Sequence, residues 1–270
     1  MFLADTHILG NREGHWFDKL RREWQMERSF QTAMAIHSPE VVFILGDLFD
    51  EGKWSNDVEF KTYVNRFNKM FRHSSSTKLY TTVGNHDIGF HYMVNPHNRK
   101  RFESAFDAPS MRMIRLKKTI FVLANSMAFE GDGCDMCAES EKLLNEIGRK
   151  LDCAQNGNKY LDCHDITESF QYSRPILLQH FPMFRKSDWN CSGVDAAPVE
   201  ERHKSFRPKY DCLSKEASNQ LFNILKPRLV VSGHTHHGCL TYHLDGTPEY
   251  TVASFNWRNK ANSPSFLLVS

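Results

Sequence analysis

The 270-residue chain has 34 lysines and arginines against 32 aspartates and glutamates, a formal charge of +2 with neutral histidines. This balance excludes a strongly cationic nucleic-acid-binding protein, and the shares of aromatic (12%) and charged (24%) residues exclude general disorder. No apolar run is long enough for a transmembrane helix, and no signal peptide is expected because Asp5 and His7 follow Met1 closely. We expect a single domain over residues 1–270.

Apolar residues recur at helical spacing near the start of the chain, which predicts a helix over residues 16–36. Its inner face is expected to carry Trp16, Leu20, Trp24, Phe30 and Met34. The same spacing predicts helices over residues 58–71 and 214–225, the last with Ser214 as a possible N-cap.

Short apolar runs between these helices predict β-strands. They lie at residues 41–45, 79–83, 120–124, 176–178, 229–232, 250–254 and 266–269. Strands that alternate with helices in the first half indicate an α/β fold, and the closely spaced runs of the last hundred residues indicate more antiparallel pairing. Residues 126–173 are the least regular part and are predicted to be a Cys-rich insertion.

The seven cysteines leave three interpretations open. They are Cys134, Cys137, Cys153, Cys163, Cys191, Cys212 and Cys239. Free thiols of a cytosolic protein are one, and a zinc site is another, because Cys134 and Cys137 have the spacing of half a zinc ribbon. We favour disulfides, which would place the chain in an oxidising lumen. The odd number leaves at least one thiol unpaired within the chain.

Polar residues of metal-binding type follow four of these apolar runs and the short apolar segment at residues 1–4. These segments are Asp5-Thr-His7, Gly46-Asp47-Leu-Phe-Asp50, Gly84-Asn85-His86-Asp87, Gln179-His180 and Gly233-His234-Thr-His236. Each alone is typical of an ordinary turn or helix cap. Side chains two apart on an extended strand end point the same way, and α/β sheets place their ligands at strand ends. Because buried imidazoles and carboxylates need partners, the five together predict a metal site.

These five blocks, in this order, resemble the calcineurin-like metallophosphoesterase superfamily, which implies an α/β/β/α four-layer sandwich. Flanking residues narrow the resemblance to the GPI-anchor remodelling ethanolamine-phosphate phosphoesterases, the post-GPI-attachment-to-proteins factor type. They are Gly14-His15-Trp16, the segments 21–28 and 48–54, Gly89-Phe-His-Tyr92 and Ser254-Phe-Asn-Trp-Arg258.

The resemblance implies two divalent metal ions. Asp5, His7 and His236 would hold the first ion, Asn85, His180 and His234 the second, and Asp47 would bridge them. The mixed nitrogen and oxygen ligands are compatible with Mn²⁺, Zn²⁺ or Fe²⁺, and the resemblance implies manganese. A hydroxide shared by the metals would attack the phosphorus.

His86 is not a ligand in the family pattern and would protonate or orient the leaving oxygen. Asp50 would orient His86, with a plain N-cap as the alternative. Where serine/threonine protein phosphatases carry a phosphate-binding arginine after the second aspartate, this chain has Glu51, which we expect to bind the ethanolamine ammonium. Further candidate substrate contacts are Lys53, Trp54, His91 and Trp257, and Arg185 and Arg258 are weaker candidates for a phosphate contact.

The implied function is a phosphodiesterase that removes ethanolamine phosphate from a mannose of the GPI-anchor glycan. The alternatives are a phosphomonoesterase or nucleotide phosphodiesterase of the same fold and, in third place, a non-catalytic scaffold. The implied partners are GPI-anchored proteins or the GPI glycolipid, with no nucleic acid. Members of the group are membrane-anchored, with a catalytic domain in the lumen between the endoplasmic reticulum and the Golgi. This chain is expected to be their catalytic portion, and it carries one glycosylation sequon, Asn190-Cys191-Ser192.

Overall fold

Two β-sheets form the centre of the protein. The computed structural model describes residues 1–157, 163, 170–257 and 263–269. The first sheet has three parallel strands in the order β1 (Phe2–Leu3), β2 (Val41–Leu45) and β3 (Lys78–Thr82).

The second sheet is mixed and has six strands among the described residues. Its order is β4 (Met111–Leu116), β5 (Thr119–Ala124), β6 (Ile176–Gln179), β7 (Leu229–Ser232), β9 (Pro248–Thr251) and β8 (Cys239–Tyr242). The strands β5, β6, β7 and β9 are parallel, while β4 and β8 pair antiparallel at the two edges.

Several of the helices in the described ranges begin at a residue whose side chain caps them. The helices are α1 (Trp16–His37), α2 (Asp57–Met70), α3 (Asn85–Ile88), α4 (Pro96–Phe106), α5 (Cys137–Asn156), α6 (Val199–Arg202) and α7 (Lys215–Leu225). Asn56 and Glu59 form a capping box at the start of α2. Ser214 accepts a hydrogen bond from the Ala217 N–H at the start of α7, so its prediction as an N-cap is confirmed.

Alternate side chains of the central strands point into two different hydrophobic cores. Phe43 of β2 and Phe121 of β5 meet between the sheets, with ring centroids 4.9 Å apart. The neighbours Val42 and Ile44 point the other way, into the core shared with the helices. Helices α1 and α2 pack together over the first sheet, and α5 and α7 over the second. The predicted α/β sandwich is therefore confirmed.

The predicted inner face of α1 is wrong for Trp16, Leu20 and Trp24, and it is confirmed for Phe30 and for Met34, which packs half-buried against the core. The buried residues of this helix are Arg22, Met26, Phe30 and Ala33, whereas Trp16, Leu20 and Trp24 are exposed. At 3.6 residues per turn, Phe30 lies about 120° around the helix from Trp24, so the two cannot share a face. The packed face is the one that carries Phe30.

The predicted irregularity of residues 126–173 is wrong over Cys137–Asn156, which form the 20-residue helix α5. Its buried side chains include Leu144, Ile147 and Leu151. The helix lies in the connection between the parallel strands β5 and β6, and such a connection requires a crossover. Strands β4 and β8 and helix α4 were not predicted, and the predicted strand at 250–254 begins two residues earlier, at Pro248.

Three disulfides join six of the seven cysteines, Cys134–Cys137, Cys153–Cys163 and Cys191–Cys239. Cys212 remains a buried thiol. The disulfide interpretation is therefore confirmed over free thiols and zinc. Within the described ranges, every helix is too short or too polar to cross a membrane.

Candidate metal centre

The five polar segments converge at the carboxyl ends of parallel strands from both sheets. Strands β1, β2 and β3 of the first sheet lead into Asp5 and His7, Asp47, and Asn85 respectively. Strands β6 and β7 of the second sheet lead into His180 and the histidines that follow Gly233. The prediction that these side chains lie together is confirmed by the distances below.

The first cluster consists of Asp5, His7 and His236. The His7 Nε2 lies 3.1 Å from the His236 Nε2 and 3.8 Å from the Asp5 Oδ1. The His236 Nε2 lies 3.6 Å from the same carboxylate oxygen. Three potential ligand atoms thus surround one point, as a metal site requires.

The second cluster consists of Asn85, His180, His234 and Asp47. The His180 Nε2 lies 3.3 Å from the Asn85 Oδ1, 3.2 Å from the His234 Nδ1 and 3.3 Å from the Asp47 Oδ2. The same Asp47 Oδ2 lies 3.6 Å from the His7 Nε2 of the first cluster. One carboxylate oxygen therefore faces both clusters, which is the position of a bridging ligand.

Hydrogen bonds fix which imidazole nitrogen faces each cluster. The His7 Nδ1 donates to the Asp50 Oδ1 at 2.9 Å, and the His180 Nδ1 donates to the Leu45 carbonyl at 2.8 Å. The His234 Nε2 donates to the Tyr210 carbonyl at 2.6 Å. In each case the other nitrogen is left for the cluster, and such partners usually orient metal-binding histidines.

Five of the seven predicted ligands have a left-handed backbone. The φ angles are 54° for Asp5, 43° for His7, 48° for Asp47, 75° for His234 and 67° for His236. Aspartate and histidine tolerate this region better than most residues, but it still carries strain, and such strain gathers at functional sites.

Close backbone approach explains two of the motif glycines. A Cβ on Gly84 would lie 2.1 Å from the Asp47 Oδ1, and a Cβ on Gly233 would lie 2.8 Å from the Asp5 Oδ2. Neither distance is compatible with a side chain. The glycines therefore allow neighbouring strand ends to bring the carboxylates into place.

The charge balance of the clusters fits bound cations. The Asp5 Oδ1 is buried without a hydrogen-bond partner. Burial opposes protonation of His7, but the carboxylates of Asp5 and Asp50 outweigh it and raise the pKa of His7 to about 10. Asp47 likewise overcomes burial and raises the pKa of His180 to about 9. The buried carboxylates are thus stabilised by nearby positive charge, which bound divalent ions would supply.

The other two histidines stay neutral and can donate lone pairs. Burial and the neighbouring His180 lower the pKa of His234 to about 4. Burial is also the main cause that lowers the pKa of His236 to about 3. The donor set therefore fits two divalent metal ions, one per cluster.

His86 lies at the mouth of the site, with its side chain about one-third exposed at 32%. Its Nδ1 donates to the Asp50 carbonyl at 2.9 Å, and the Asp50 Oδ1 lies 3.5 Å from the same nitrogen. Asp50 therefore contacts His86 as predicted, but the short bond of its carboxylate goes to His7. The N-cap alternative for Asp50 is wrong, because Asn56 caps α2.

Two of the residues predicted to contact substrate, Glu51 and His91, are buried and do not line the cavity at the metal centre. Glu51 is fully buried, and its carboxylate accepts the backbone N–H groups of Arg12 and Glu13 at 2.8–3.1 Å. His91 is also buried and bridges the carbonyls of Met127 and Lys209. Both side chains are already satisfied by backbone partners, so the prediction that they bind substrate is wrong.

Among the described residues, the candidates Lys53, Trp54, Arg185 and Trp257 do not line the cavity at the metal centre. The Lys53 ammonium lies 4.6 Å from the centroid of the Trp54 ring, and the Arg21 guanidinium lies 4.3 Å from that of Trp257. Arg185 is buried against Asp188 at 2.8 Å. Arg258 lies outside the described residues.

The segment 197–211, for which no role in the site was predicted, forms one wall of that cavity. The cavity has a volume of about 510 Å³, and the five ligands and catalytic candidates on its floor are Asp47, Asn85, His86, His234 and His236. The wall carries Lys204, Phe206, Arg207 and Tyr210, and the Phe90 ring packs against that of Tyr210. A larger groove of about 1080 Å³, beside α7 and β8, contains none of the predicted ligands. A cluster of basic and aromatic residues after α6 was the only sequence signal for this wall.

Comparisons with known proteins agree with this geometry. The family model described as calcineurin-like phosphoesterase matches residues 1–238. Metallophosphoesterase 1 of Mus musculus is 55% identical over 271 residues, which cover 100% of this chain and 68% of the relative.

Two solved structures share the fold. A dimetal phosphatase from Danio rerio has a TM-score of 0.52 at 13% identity, with coverage of 94% of this chain and 86% of the other. The purple acid phosphatase PPD1 from yellow lupin (Lupinus luteus) seeds has a TM-score of 0.57 at 15% identity, with coverage of 100% and 45%.

Proposed function

Because the chain belongs to the calcineurin-like phosphoesterase family of metal-dependent phosphoester hydrolases, which use two divalent metal ions, we propose that it removes ethanolamine phosphate from a mannose of the GPI-anchor glycan. The observation that carries a catalytic function is the convergence of both clusters on one oxygen of Asp47. A scaffold that had lost catalysis would not need to retain this arrangement together with His86.

We propose Mn²⁺ for both ions, with Zn²⁺ and Fe²⁺ as alternatives. Asp5, His7 and His236 would hold one ion, and Asn85, His180 and His234 the other, with Asp47 between them. Bound there, the ions would supply positive charge for the phosphate and lower the pKa of water.

His86 is the proposed general acid for the leaving mannose oxygen. Its Nδ1 is held by the Asp50 carbonyl, which leaves Nε2 as the nitrogen available to the substrate. The carboxylate of Asp50 lies near enough to stabilise an imidazolium at 3.5 Å. Asp50 thereby connects the proton donor with the ligand His7, which it orients through its second contact.

The cavity wall supports a substrate larger than inorganic phosphate. Tyr210 and Phe90 provide ring faces, with centroids 5.9 Å apart, beside the ligand His234. Aromatic faces of this kind stack on sugars and attract ammonium groups. Since Glu51 is buried, we propose the Tyr210 ring as the contact for the ethanolamine ammonium.

The test compares three substrates on the manganese-loaded protein: an ethanolamine-phosphate mannoside, an aryl phosphomonoester and a nucleotide phosphodiester. The proposal predicts the highest kcat/KM on the mannoside and a selective loss there for Tyr210→Ala. Faster monoester or nucleotide hydrolysis would favour the alternative functions. No turnover with both metals bound would favour the scaffold.

We also propose that the chain works in the lumen between the endoplasmic reticulum and the Golgi, as the catalytic part of a membrane-anchored protein that acts on GPI-anchored proteins or the GPI glycolipid. The three disulfides support an oxidising compartment. Asn190 of the sequon is exposed and accessible to glycosylation. Mass spectrometry of protein from a secretory host should find one free thiol, and seven would contradict this location.

A further inference from the structure

The first turns of α1 expose an unusual group of large apolar side chains. The exposed fractions are 68% for Trp16, 54% for Phe17, 61% for Leu20 and 61% for Trp24. Trp16, Leu20 and Trp24 are four residues apart, so they line one face of the helix over about 12 Å. We call these four residues the α1 apolar face.

The α1 apolar face lies at the same end of the molecule as the metal centre. Strand β1 ends at the metal-centre edge of its sheet, where it leads into Asp5 and His7, and the chain enters α1 only nine residues after His7. The helix then runs away from that edge. Further along α1 the exposed residues become Arg28, Thr32 and Ala35, and Ile36 is the one large exposed apolar side chain at the far end of this helix, so most of them concentrate near the site.

The acidic side chains of α1 are held in ion pairs, whereas two of its arginines lie over aromatic rings beside the apolar face. The acidic residues of α1 are paired with arginines, Asp18 with Arg22, Glu23 with Arg66, and Glu27 with Arg72. Arg21 and Arg28 instead lie over the rings of Trp257 and Trp24, at 4.3 and 5.7 Å. In the described part of the chain, neither arginine has a carboxylate within ion-pair distance. The face is therefore apolar with a positive border.

We propose that the α1 apolar face docks the protein on the surface of an anionic lipid bilayer. Helices that lie in the membrane interface typically combine tryptophan, phenylalanine and leucine on one face with arginine beside it. Taking about 150–250 Å² for an aromatic side chain, the four residues expose roughly 500 Å², well below the about 800 Å² per partner of a stable protein–protein interface. The area and the positive border favour lipid over a second copy of the chain.

This docking would bring the metal-centre edge to the membrane, and it rests on the proposed function in that a glycolipid substrate lies at such a surface. The binding itself can be tested without that substrate. The probe is sedimentation with phosphatidylcholine vesicles, prepared with and without phosphatidylserine.

The main variant changes Trp16, Phe17, Leu20 and Trp24 to glutamine, which is compatible with a helix. The matched control changes Ile36 and Val58, which are equally exposed but lie outside the face, to glutamine. Wild type and control should bind phosphatidylserine vesicles, and the fourfold variant should bind at least tenfold more weakly. Arg21→Gln and Arg28→Gln should each weaken binding to anionic vesicles about fivefold.

Three results would overturn the proposal. They are wild-type protein that does not sediment with anionic vesicles, a fourfold variant that binds as well as wild type, and a wild-type dimer in lipid-free solution that the fourfold variant converts to monomer. If the fourfold variant fails to fold, Trp24→Gln alone and the arginine variants decide the question.

Hydrolysis of a soluble aryl phosphodiester separates this proposal from the proposed function. The fourfold variant should keep wild-type turnover on that substrate. Vesicle binding without hydrolysis would count against the enzymatic proposal only, and hydrolysis without vesicle binding would count against the docking surface only.

Discussion

Replacement of Gly84 by alanine would test how tightly the metal centre is built. The φ of Gly84 is −117°, which alanine adopts without strain, so the substitution acts only through its added methyl group. That Cβ would lie 2.1 Å from the Asp47 Oδ1 and 2.3 Å from the Asp47 backbone nitrogen. Neither atom belongs to a flexible side-chain end, since the Oδ1 is held by the His86 N–H at 2.8 Å.

The size of the effect follows from these distances. Real Cβ contacts do not fall below 3.0 Å, so Asp47 or Gly84 must move by about 0.9 Å. Metal–ligand distances tolerate only about 0.2 Å. We therefore expect Gly84→Ala to lose the bridging contact and to lower turnover by about 10²-fold or more. The cost in the free energy of unfolding should be about 1–3 kcal/mol, as for other overpacked sites.

The assay combines metal content by mass spectrometry, turnover on an aryl phosphodiester and thermal unfolding. Gly14→Ala is the matched control, because its Cβ would meet the Leu9 side chain at 3.1 Å and the Gly10 carbonyl oxygen at an ordinary contact distance of 3.4 Å. The control should retain both metals and its activity. A Gly84→Ala protein with two bound metals and near wild-type turnover would refute the assignment of Asp47 as the bridging ligand.

Three further substitutions probe the groups around the ligands. His86→Ala should keep both metals and lower turnover roughly 10²–10⁴-fold, with a smaller loss on nitrophenyl substrates, and equal losses across leaving groups would contradict proton donation. Asp50→Ala should weaken metal affinity about 10–100-fold in chelator titrations, because His7 loses its partner, and unchanged affinity would refute that role. Glu51→Gln should lower the thermal midpoint and leave the ratio of glycan to aryl activity unchanged, whereas a changed ratio would restore Glu51 as a substrate contact.

The metal centre could be predicted from sequence because its ligands come from strand ends. Parallel strands bring their carboxyl ends to one edge, so the polar segments that follow five strands were enough to predict a metal site, and the resemblance to the family implied which residues are its ligands. The backbone conformation predicted for the paired ligands is wrong, however. Asp5 and His7 were expected to alternate on extended backbone, but both have a left-handed backbone.

The substrate contacts could not be predicted because sequence proximity to a motif does not give the direction of a side chain. Glu51 follows Asp50 directly, yet its partners are the backbone N–H groups of Arg12 and Glu13, 38–39 residues away. His91 follows the third block but contacts the carbonyl of Lys209, 118 residues away. The backbone groups of these loops that need a buried hydrogen-bond partner can be identified only in the folded structure.

Periodicity also left the choice between helix faces open. The spacing of Trp16, Leu20 and Trp24 is as regular as that of Met26, Phe30 and Ala33, and only the second set packs against the core. A regular apolar stripe therefore identifies a helix but not its buried side. When a chain carries two such stripes, the exposed one calls for a functional explanation.

The residue types of the motifs meet two requirements at once. Aspartate and histidine supply the oxygen and nitrogen ligands, and they are also among the side chains that best tolerate a left-handed backbone. Substitution of Asp47 by glutamate would preserve the charge but lengthen a side chain whose two oxygens already have fixed positions, one bonded to the His86 N–H and one between the clusters. The sharp turns that follow β1, β2 and β7 and the ligands they carry are therefore specified by the same residues, which is why so short a set of motifs defines the centre.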